Sequence, residues 1–319
     1  MNHAPTGECC PACGSRQSRA LFCGADRLYQ TTEKRFSVVE CSGCRLLRLH
    51  PWPSAGELQR YYPESYWFTS EDNTVGRLEE EYRRFVLRDH VNFVAGACGP
   101  ADGPVLDVGC GGALFGRLLG DRGYRVFGLD YSRQAANVAW RQNGVSVVAG
   151  IFSDPPFAHD LFAVVTMFHV LEHLYDPGSY IQTARRLLRP GGRLIVQVPN
   201  ASSWQFLLFG DRWNGLDVPR HLINFRADDI RTLIEQSGFK VTRTKYFSLR
   251  DNPAGFASSL APNLDPMARR VRGIAESERM RMVKNLTYFG LVLAALPFTL
   301  LEAACGAGST VMIEAVKPA

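Results

Sequence analysis

The sequence predicts an α/β fold, a mostly parallel sheet with helices on both faces, preceded by a small ribbon built on four cysteines. Three observations carry that expectation. From Val105 onward, short apolar runs alternate with amphipathic stretches, the pattern of repeated strand-helix units that forces a parallel sheet. The first run passes into Val105-Leu-Asp-Val-Gly-Cys-Gly-Gly112, and the next ends in Gly128-Leu-Asp130. Ahead of both stand two CxxC pairs, Cys10-Pro-Ala-Cys13 and Cys41-Ser-Gly-Cys44.

The chain has 319 residues, 46% of them hydrophobic. That is enough for one large domain with a small appendage, and it excludes general disorder. A formal net charge of +5 is compatible with an acidic partner without requiring one. Met1 to Glu8 is polar, with neither a basic start nor an apolar run, so a cytoplasmic, reducing setting is expected. The nine cysteines are then read as metal ligands or buried thiols before disulfides.

Tetrahedral Zn²⁺ takes four thiolates, and each CxxC knuckle offers two on one tight turn. Cys10, Cys13, Cys41 and Cys44 are therefore expected to close a structural zinc site. A four-ligand site leaves no open position for chemistry, so its role is folding. Leu21-Phe22 and Phe36 to Glu40 read as short strands between the knuckles, giving a zinc ribbon over residues 1–50. Cys23 has no partner and reads as a core thiol.

Residues 51–103 read as a helical connector. It carries Tyr61-Tyr-Pro-Glu-Ser-Tyr-Trp67 and an amphipathic charged run from Arg77 to Val94. Those aromatics suit either packing between ribbon and main domain or a lid over a cleft.

Over residues 104–319, strands are expected near Val105 to Val108, Arg125 to Leu129, Val145 to Ala149, Phe162 to Met167, Arg193 to Val198, Lys240 to Phe247 and Thr310 to Val316. Helices are expected over Leu114 to Arg122, Ser132 to Asn143, Pro177 to Leu188 and Ala227 to Ser237. Two insertions interrupt the plan. Asn200 to Arg226 brings Trp204, Phe206, Phe209 and Trp213 beyond the fifth strand, where open sheets bind ligands. Residues 250–308 are too long for a plain connection. There, Leu286 to Cys305 is nearly uncharged and follows a basic stretch from Arg269 to Lys284. A buried or dimer-forming helical cap leads, followed by peripheral membrane contact through 267–305, then by a membrane span.

The glycine turn describes a nucleoside pocket. Asp130 lies about twenty residues past the turn, where one strand-helix-strand unit returns to the same sheet edge and a carboxylate can grip a ribose. A dinucleotide site needs a third glycine where Leu114 stands, so that pyrophosphate can approach the helix. A phosphate-free ligand such as S-adenosyl-L-methionine needs only the close approach that Gly109, Gly111 and Gly112 allow.

Together with Leu161 to His173, Leu187-Leu-Arg-Pro-Gly-Gly-Arg-Leu-Ile-Val-Gln-Val-Pro199 and Val218-Pro-Arg-His-Leu-Ile-Asn-Phe225, these landmarks resemble class I S-adenosylmethionine-dependent methyltransferases. The resemblance covers about Gly103 to Lys317. It implies a Rossmann-like seven-stranded sheet whose last strand, the C-terminal run, is antiparallel. It further implies a cofactor site of Asp107, Gly109, Cys110, Gly111, Gly112, Asp130, Tyr131 and Phe168. Asp107 would reach the amino end of the methionine moiety. The chain departs from the family at Ala113, where glycine is usual, and at Ile151, where an acid for the adenine is usual.

Methyl transfer from a sulfonium needs alignment, a dry pocket and, for a hydroxyl acceptor, a base. The resemblance puts His221 at the acceptor side as first candidate base and His169 second; Glu172 and His173 read as braces of the following turn. Zinc-containing deoxysugar C-methyltransferases are similar around His221 but carry an acid where this chain has Arg220. Asp154-Pro-Pro-Phe157 precedes its strand rather than following it, and reads as a turn. The leading expectation is methylation of an oxygen, or of a carbon, on a small or lipid-linked acceptor such as a sugar or quinone-like ring. RNA methylation through the ribbon and a non-catalytic cofactor-binding module are the alternatives; a nearly charge-balanced ribbon disfavours nucleic acid.

Overall fold

The computed structural model describes residues 9–63 and 74–319. Tyr66 and Trp67 of the expected aromatic connector lie outside them. The ribbon supplies strands β1 (Ser18–Gly24), β2 (Phe36–Cys41) and β3 (Leu47–His50). Helices α1 (Ala55–Arg60) and α2 (Thr74–Ala95) lead into the larger unit. There follow β4 (Val105–Val108), α3 (Leu114–Gly120), β5 (Val126–Asp130), α4 (Arg133–Asn143), β6 (Ser146–Ala149) and β7 (Phe162–Phe168). Next come α5 (Pro177–Leu187), β8 (Leu188–Pro199), α6 (Trp204–Phe209), β9 (Ile223–Asn224), α7 (Ala227–Gln236) and β10 (Lys240–Lys245). Helices α8 (Asn252–Leu260), α9 (Pro266–Val271) and α10 (Glu278–Ala304) precede the last strand, β11 (Thr310–Val316).

The large sheet runs β10-β11-β8-β7-β4-β5-β6. Strands β8, β7, β4, β5 and β6 pair in parallel, and β11 lies antiparallel between β8 and β10. Every residue of β4 is buried, and in β7 all but Phe168 are, as expected of parallel strands covered on both faces. Local chemistry sets the helix ends. Ser132 caps α4 by accepting from Ala135 N–H, and Gly144 ends it at φ +63°. Asp176 caps α5 ahead of Pro177.

The ribbon is sewn into this unit. Strand β9, from the Val218 to Phe225 segment, pairs antiparallel with β3 and completes a four-stranded sheet. Beside it, Arg220 is fully buried; it forms two hydrogen bonds to Asp26 of the ribbon at 2.8 and 2.9 Å, further bonds to Asp217, and stacks on Tyr29. Burial acts to raise Asp26, but Arg220 outweighs it and holds the carboxyl below its usual range.

Three local expectations change. Trp213 is buried, and Trp204, Phe206 and Phe209 pack with Phe22, Phe256 and Phe298, so these rings cement the ribbon and α8 to α10 rather than line a ligand cleft. Cys23 is exposed, because β1 is the open edge of the small sheet. The 250–308 insertion holds α8, α9 and α10, and its apolar run lies in one 27-residue helix, α10, with Pro297 inside it and only Val292, Ala295, Thr299 and Glu302 buried. The apolar run is therefore not a buried cap.

Removing one partner of a buried ion pair leaves the other charge unpaired, which costs about 3–5 kcal/mol. Asp26→Asn is expected to lose stability of that order in urea titrations at neutral pH. A loss under about 1 kcal/mol would show that Arg220 does not hold the ribbon.

Candidate functional site

At the carboxyl ends of β4 and β5, the glycine turn and Asp130 meet as the spacing predicted. Gly111 N–H donates to Asp130 Oδ2 and Ser132 N–H to Oδ1, both at 2.8 Å. Each oxygen keeps a lone pair for a hydroxyl donor. Gly109 has φ +70°, and a Cβ there would stand 2.7 Å from Val170 Cγ2. Gly128 lies under Cys110 Sγ, which a Cβ would meet at 2.6 Å. Ala113 takes φ +56° as N-cap of α3, a left-handed conformation that explains the usual glycine and carries strain on the order of 1 kcal/mol.

Asp107 is buried and accepts from the Thr166 hydroxyl at 2.7 Å. Burial, reinforced by Asp130 and opposed by the Thr166 bond, pushes its pKa up to about 7. Asp107, the turn from Gly109 to Gly112, and Phe168 line one cavity of about 830 Å³. Phe168 is clamped edge-on between His90 and Phe115. Tyr131, by contrast, is 69% exposed, and Ile151 is exposed too. The far wall of the cavity comes from α2, through Tyr82 and Leu87, and from α10, through Leu286, Phe289 and Val292. The helical wall also carries Glu79, Arg83, Arg270 and Asn285, so its apolar side chains stand among charged and polar ones.

Beyond β7 the chain turns sharply at His169, whose φ is +57°. Its Nδ1 lies 3.0 Å from Glu172 Oε1, and its Nε2 lies 2.8 Å from the Gln197 side-chain amide and 3.5 Å from Asp251. Burial lowers its pKa, but Asp251 and Glu172 more than reverse this and lift it to about 9. His169 therefore carries a proton at neutral pH and is better suited to steadying negative charge than to accepting a proton. Asp251 also accepts from Ser248 and Gln197, each at 2.6 Å.

His221 lies apart from the cavity wall, in a cluster with His173 at 4.6 Å between ring centres. His221 Nδ1 is 2.8 Å from the Gly215 carbonyl, which in the neutral ring leaves Nε2 with its lone pair. Burial, then the charge of His221, hold His173 down at about 4. In sequence Glu172 and His173 read only as braces of a turn, and nothing joins Gln197 or Asp251 to them. The doublet Glu172-His173 just past a sheet strand was a usable signal; Gln197 and Asp251 come from distant segments and had none.

In the ribbon, Cys10 Sγ and Cys44 Sγ are 3.5 Å apart, as are Cys13 Sγ and Cys41 Sγ. The four sulfurs cluster within 4.8 Å of one another. Tetrahedral zinc with Zn–S of about 2.3 Å requires similar separations. The turn glycine Gly43 has no room for a side chain without pressing Cys13 Sγ, at 3.3 Å.

A family model described as a methyltransferase domain matches residues 78–244. A probable S-adenosylmethionine-dependent methyltransferase of Mycolicibacterium smegmatis is 31% identical over 195 residues, covering 59% of this chain and 71% of the relative. The chain belongs to the class I S-adenosylmethionine-dependent methyltransferases. Ubiquinone biosynthesis O-methyltransferase of Pseudomonas paraeruginosa is 32% identical over 144 residues, or 43% of this chain; the match spans 62% of that enzyme's length. The crystal structure of a SAM-dependent methyltransferase from Archaeoglobus fulgidus shares 16% identity, with a TM-score of 0.49, over 77% of this chain and all of that one.

Gly109→Ala is expected to weaken cofactor affinity at least tenfold in calorimetry while the far-ultraviolet circular dichroism stays unchanged. The new methyl group meets Val170 at a positive φ, so either the turn or Val170 must move. Undiminished affinity would place the cofactor elsewhere.

Proposed function

We propose that the protein transfers the methyl group of S-adenosylmethionine to an oxygen of a small acceptor with substantial apolar surface, a lipid-linked or quinone-like ring. The observation that supports this most is the single cavity joining the glycine turn to Leu286, Phe289 and Val292 of α10. Apolar walls exclude water and favour an apolar acceptor by roughly 25 cal/mol per Å² buried. Ubiquinone biosynthesis O-methyltransferases among the relatives support the same class.

In this reading Asp130 takes the ribose hydroxyls, the backbone of Gly109 to Gly112 approaches the ligand, and Phe168 packs against it. Cys110 floors the turn and Tyr131 borders it from solvent. Asp107 holds the ammonium group of the methionine moiety. The acceptor oxygen attacks the methyl carbon in line; a C–O bond forms, the C–S bond breaks, and its electron pair returns to sulfur. His221 remains the candidate base of this reading and the protonated His169 its candidate partner for negative charge, but both stand outside the cavity lining, so either would reach the acceptor's hydroxyl only through an acceptor that extends past Phe168. The thiolates of Cys10, Cys13, Cys41 and Cys44 hold a structural Zn²⁺. Helix α10 exposes Leu293, Leu300 and Leu301 on its outer side, which supports peripheral contact with a lipid surface. Among the described residues it is the one helix long and apolar enough to cross a membrane.

The test is transfer of labelled methyl to a panel of prenylated phenols, polyprenyl-linked sugars, nucleotide sugars and RNA. Label entering the prenylated or polyprenyl compounds supports the reading, and Leu286→Asp should raise KM for them several-fold with cofactor affinity unchanged. Label entering RNA alone overturns it.

The Asp107 assignment predicts a pH dependence. A carboxyl raised to about 7 is increasingly protonated as pH falls through that value, and the neutral form cannot pair with an ammonium group. Cofactor affinity should therefore weaken from pH 8 to pH 6, and Asp107→Asn should bind more weakly with a flatter profile. An identical slope in the variant would assign the titration to another group.

A further inference from the structure

We propose that Glu172, His173 and His221 form a site for a divalent transition-metal cation, separate from the thiolate cluster of the ribbon. One donor atom from each residue lies within 4.8 Å of the others, close enough for one ion to bridge all three. The hydrogen bonds leave the right atoms free. His221 Nδ1 faces the Gly215 carbonyl at 2.8 Å, and His173 Nδ1 faces the Arg220 carbonyl at 3.1 Å and the Tyr62 hydroxyl at 2.9 Å. A backbone carbonyl on Nδ1 fixes the proton there and presents Nε2 as a ligand, the usual outer-shell arrangement of metal-binding histidines.

The carboxylate carries the independent observation. Glu172 is 1% exposed; Oε1 contacts His169, whereas Oε2 is buried with no hydrogen-bond partner. A bare carboxylate oxygen in the interior is costly unless something positive meets it. Asp217 Oδ2, 3.8 Å from His221 Nε2, adds negative charge on the same side. The scaffold is stiff, since Arg220, between Asp217 and His221, is locked to Asp26.

Two nitrogens and one carboxylate oxygen suit Mn²⁺, Fe²⁺ or Zn²⁺ and leave coordination positions open. The site follows the end of β7, directly after Val170, the residue that packs over Gly109. Its role in turnover rests on the proposed methyl transfer. Glu172, His173 and His221 stand outside the lining of the cavity, so an ion there would set the loop past β7 rather than hold the acceptor oxygen. Binding of the ion does not depend on that role.

Mn²⁺ prefers oxygen and nitrogen donors to the four thiolates, so it reports this site in the full-length, zinc-loaded protein. Titration followed by electron paramagnetic resonance should show one Mn²⁺ bound per chain. Glu172→Gln, His173→Ala and His221→Ala should each weaken binding at least tenfold, and Mn²⁺ should raise the Tm of the wild type but not of the variants. Unchanged cofactor affinity certifies the fold of each variant. Wild-type protein that binds no Mn²⁺ at millimolar concentration, or variants that bind it equally, overturns the proposal; the wild-type titration decides even where a variant does not fold. Metal-free protein that methylates its acceptor at full rate and binds no Mn²⁺ would remove the site while leaving methyl transfer intact.

Discussion

The buried contact of Arg220 with Asp26 is the constraint on which most of the assembly depends. It joins a ribbon near the N-terminus to a loop some two hundred residues later, and it does so with both partners out of solvent. Such a pair adds little net stability compared with apolar packing, but it strongly penalises any arrangement that separates its members. Its effect is therefore on geometry. The Arg220 side chain points into the ribbon, its carbonyl faces His173, and the next residue is His221. Strand β9 follows at once and pairs with β3. The ribbon thus orients the loop that packs against the polar cluster past β7. Packing of the ribbon and placement of a distant loop become one event.

Much of the nucleotide-type end was legible because its chemistry is local. A strand, a glycine turn and an acid one strand later are consecutive in sequence, and their contacts, such as Gly111 to Asp130, follow from that order. The strand and helix ranges matched to within a few residues for the same reason. Arg220 stood out in sequence only as a departure from a pattern, and its partner Asp26 sits in a segment with no periodic signal. Gln197 is hidden in an apolar strand, and Asp251 lies in an insertion that shares no motif with β7. The aromatic residues of the 200–226 insertion misled because bulk near the end of a strand has two uses, and composition does not tell packing from ligand contact. Cys23 misled similarly: a thiol's burial depends on which strand becomes the edge.

Helix α10 shows why length and apolarity alone are poor guides to placement. Its buried positions Val292, Ala295, Thr299 and Glu302 fall at spacings of three and four, one stripe along a helix. The stripe lies against α8, and Glu302 accepts from Gln205 at 2.7 Å and from Ser309 N–H at 3.3 Å. A carboxyl so held, with burial raising its pKa to about 7, fixes the end of the helix beside the strand that follows. Leaving the sheet for a bilayer would strip Glu302 of these donors and pull β11 from between β8 and β10. Leu286, Phe289 and Val292 wall the cavity, whereas Leu293, Leu300 and Leu301 stay exposed on another flank.

The cavity carries charge of both signs, Asp107 at the glycine end and Arg83, Arg250 and Arg270 toward the helices. Asp107 and Asp130 are both buried, and burial raises both, with each acid's neighbours deciding how far. Two carboxyls in a low-dielectric pocket resist joint ionisation, so the unliganded site carries a penalty for its own charge. In the proposed reading, the sulfonium of S-adenosylmethionine would relieve part of that penalty, and the product, without that charge, would relieve less of it. On that reading the same carboxylates would favour the charged donor over the spent thioether. Such a difference would need no moving part, because β4 and β5 are parallel neighbours and bring both acids to one end of the sheet.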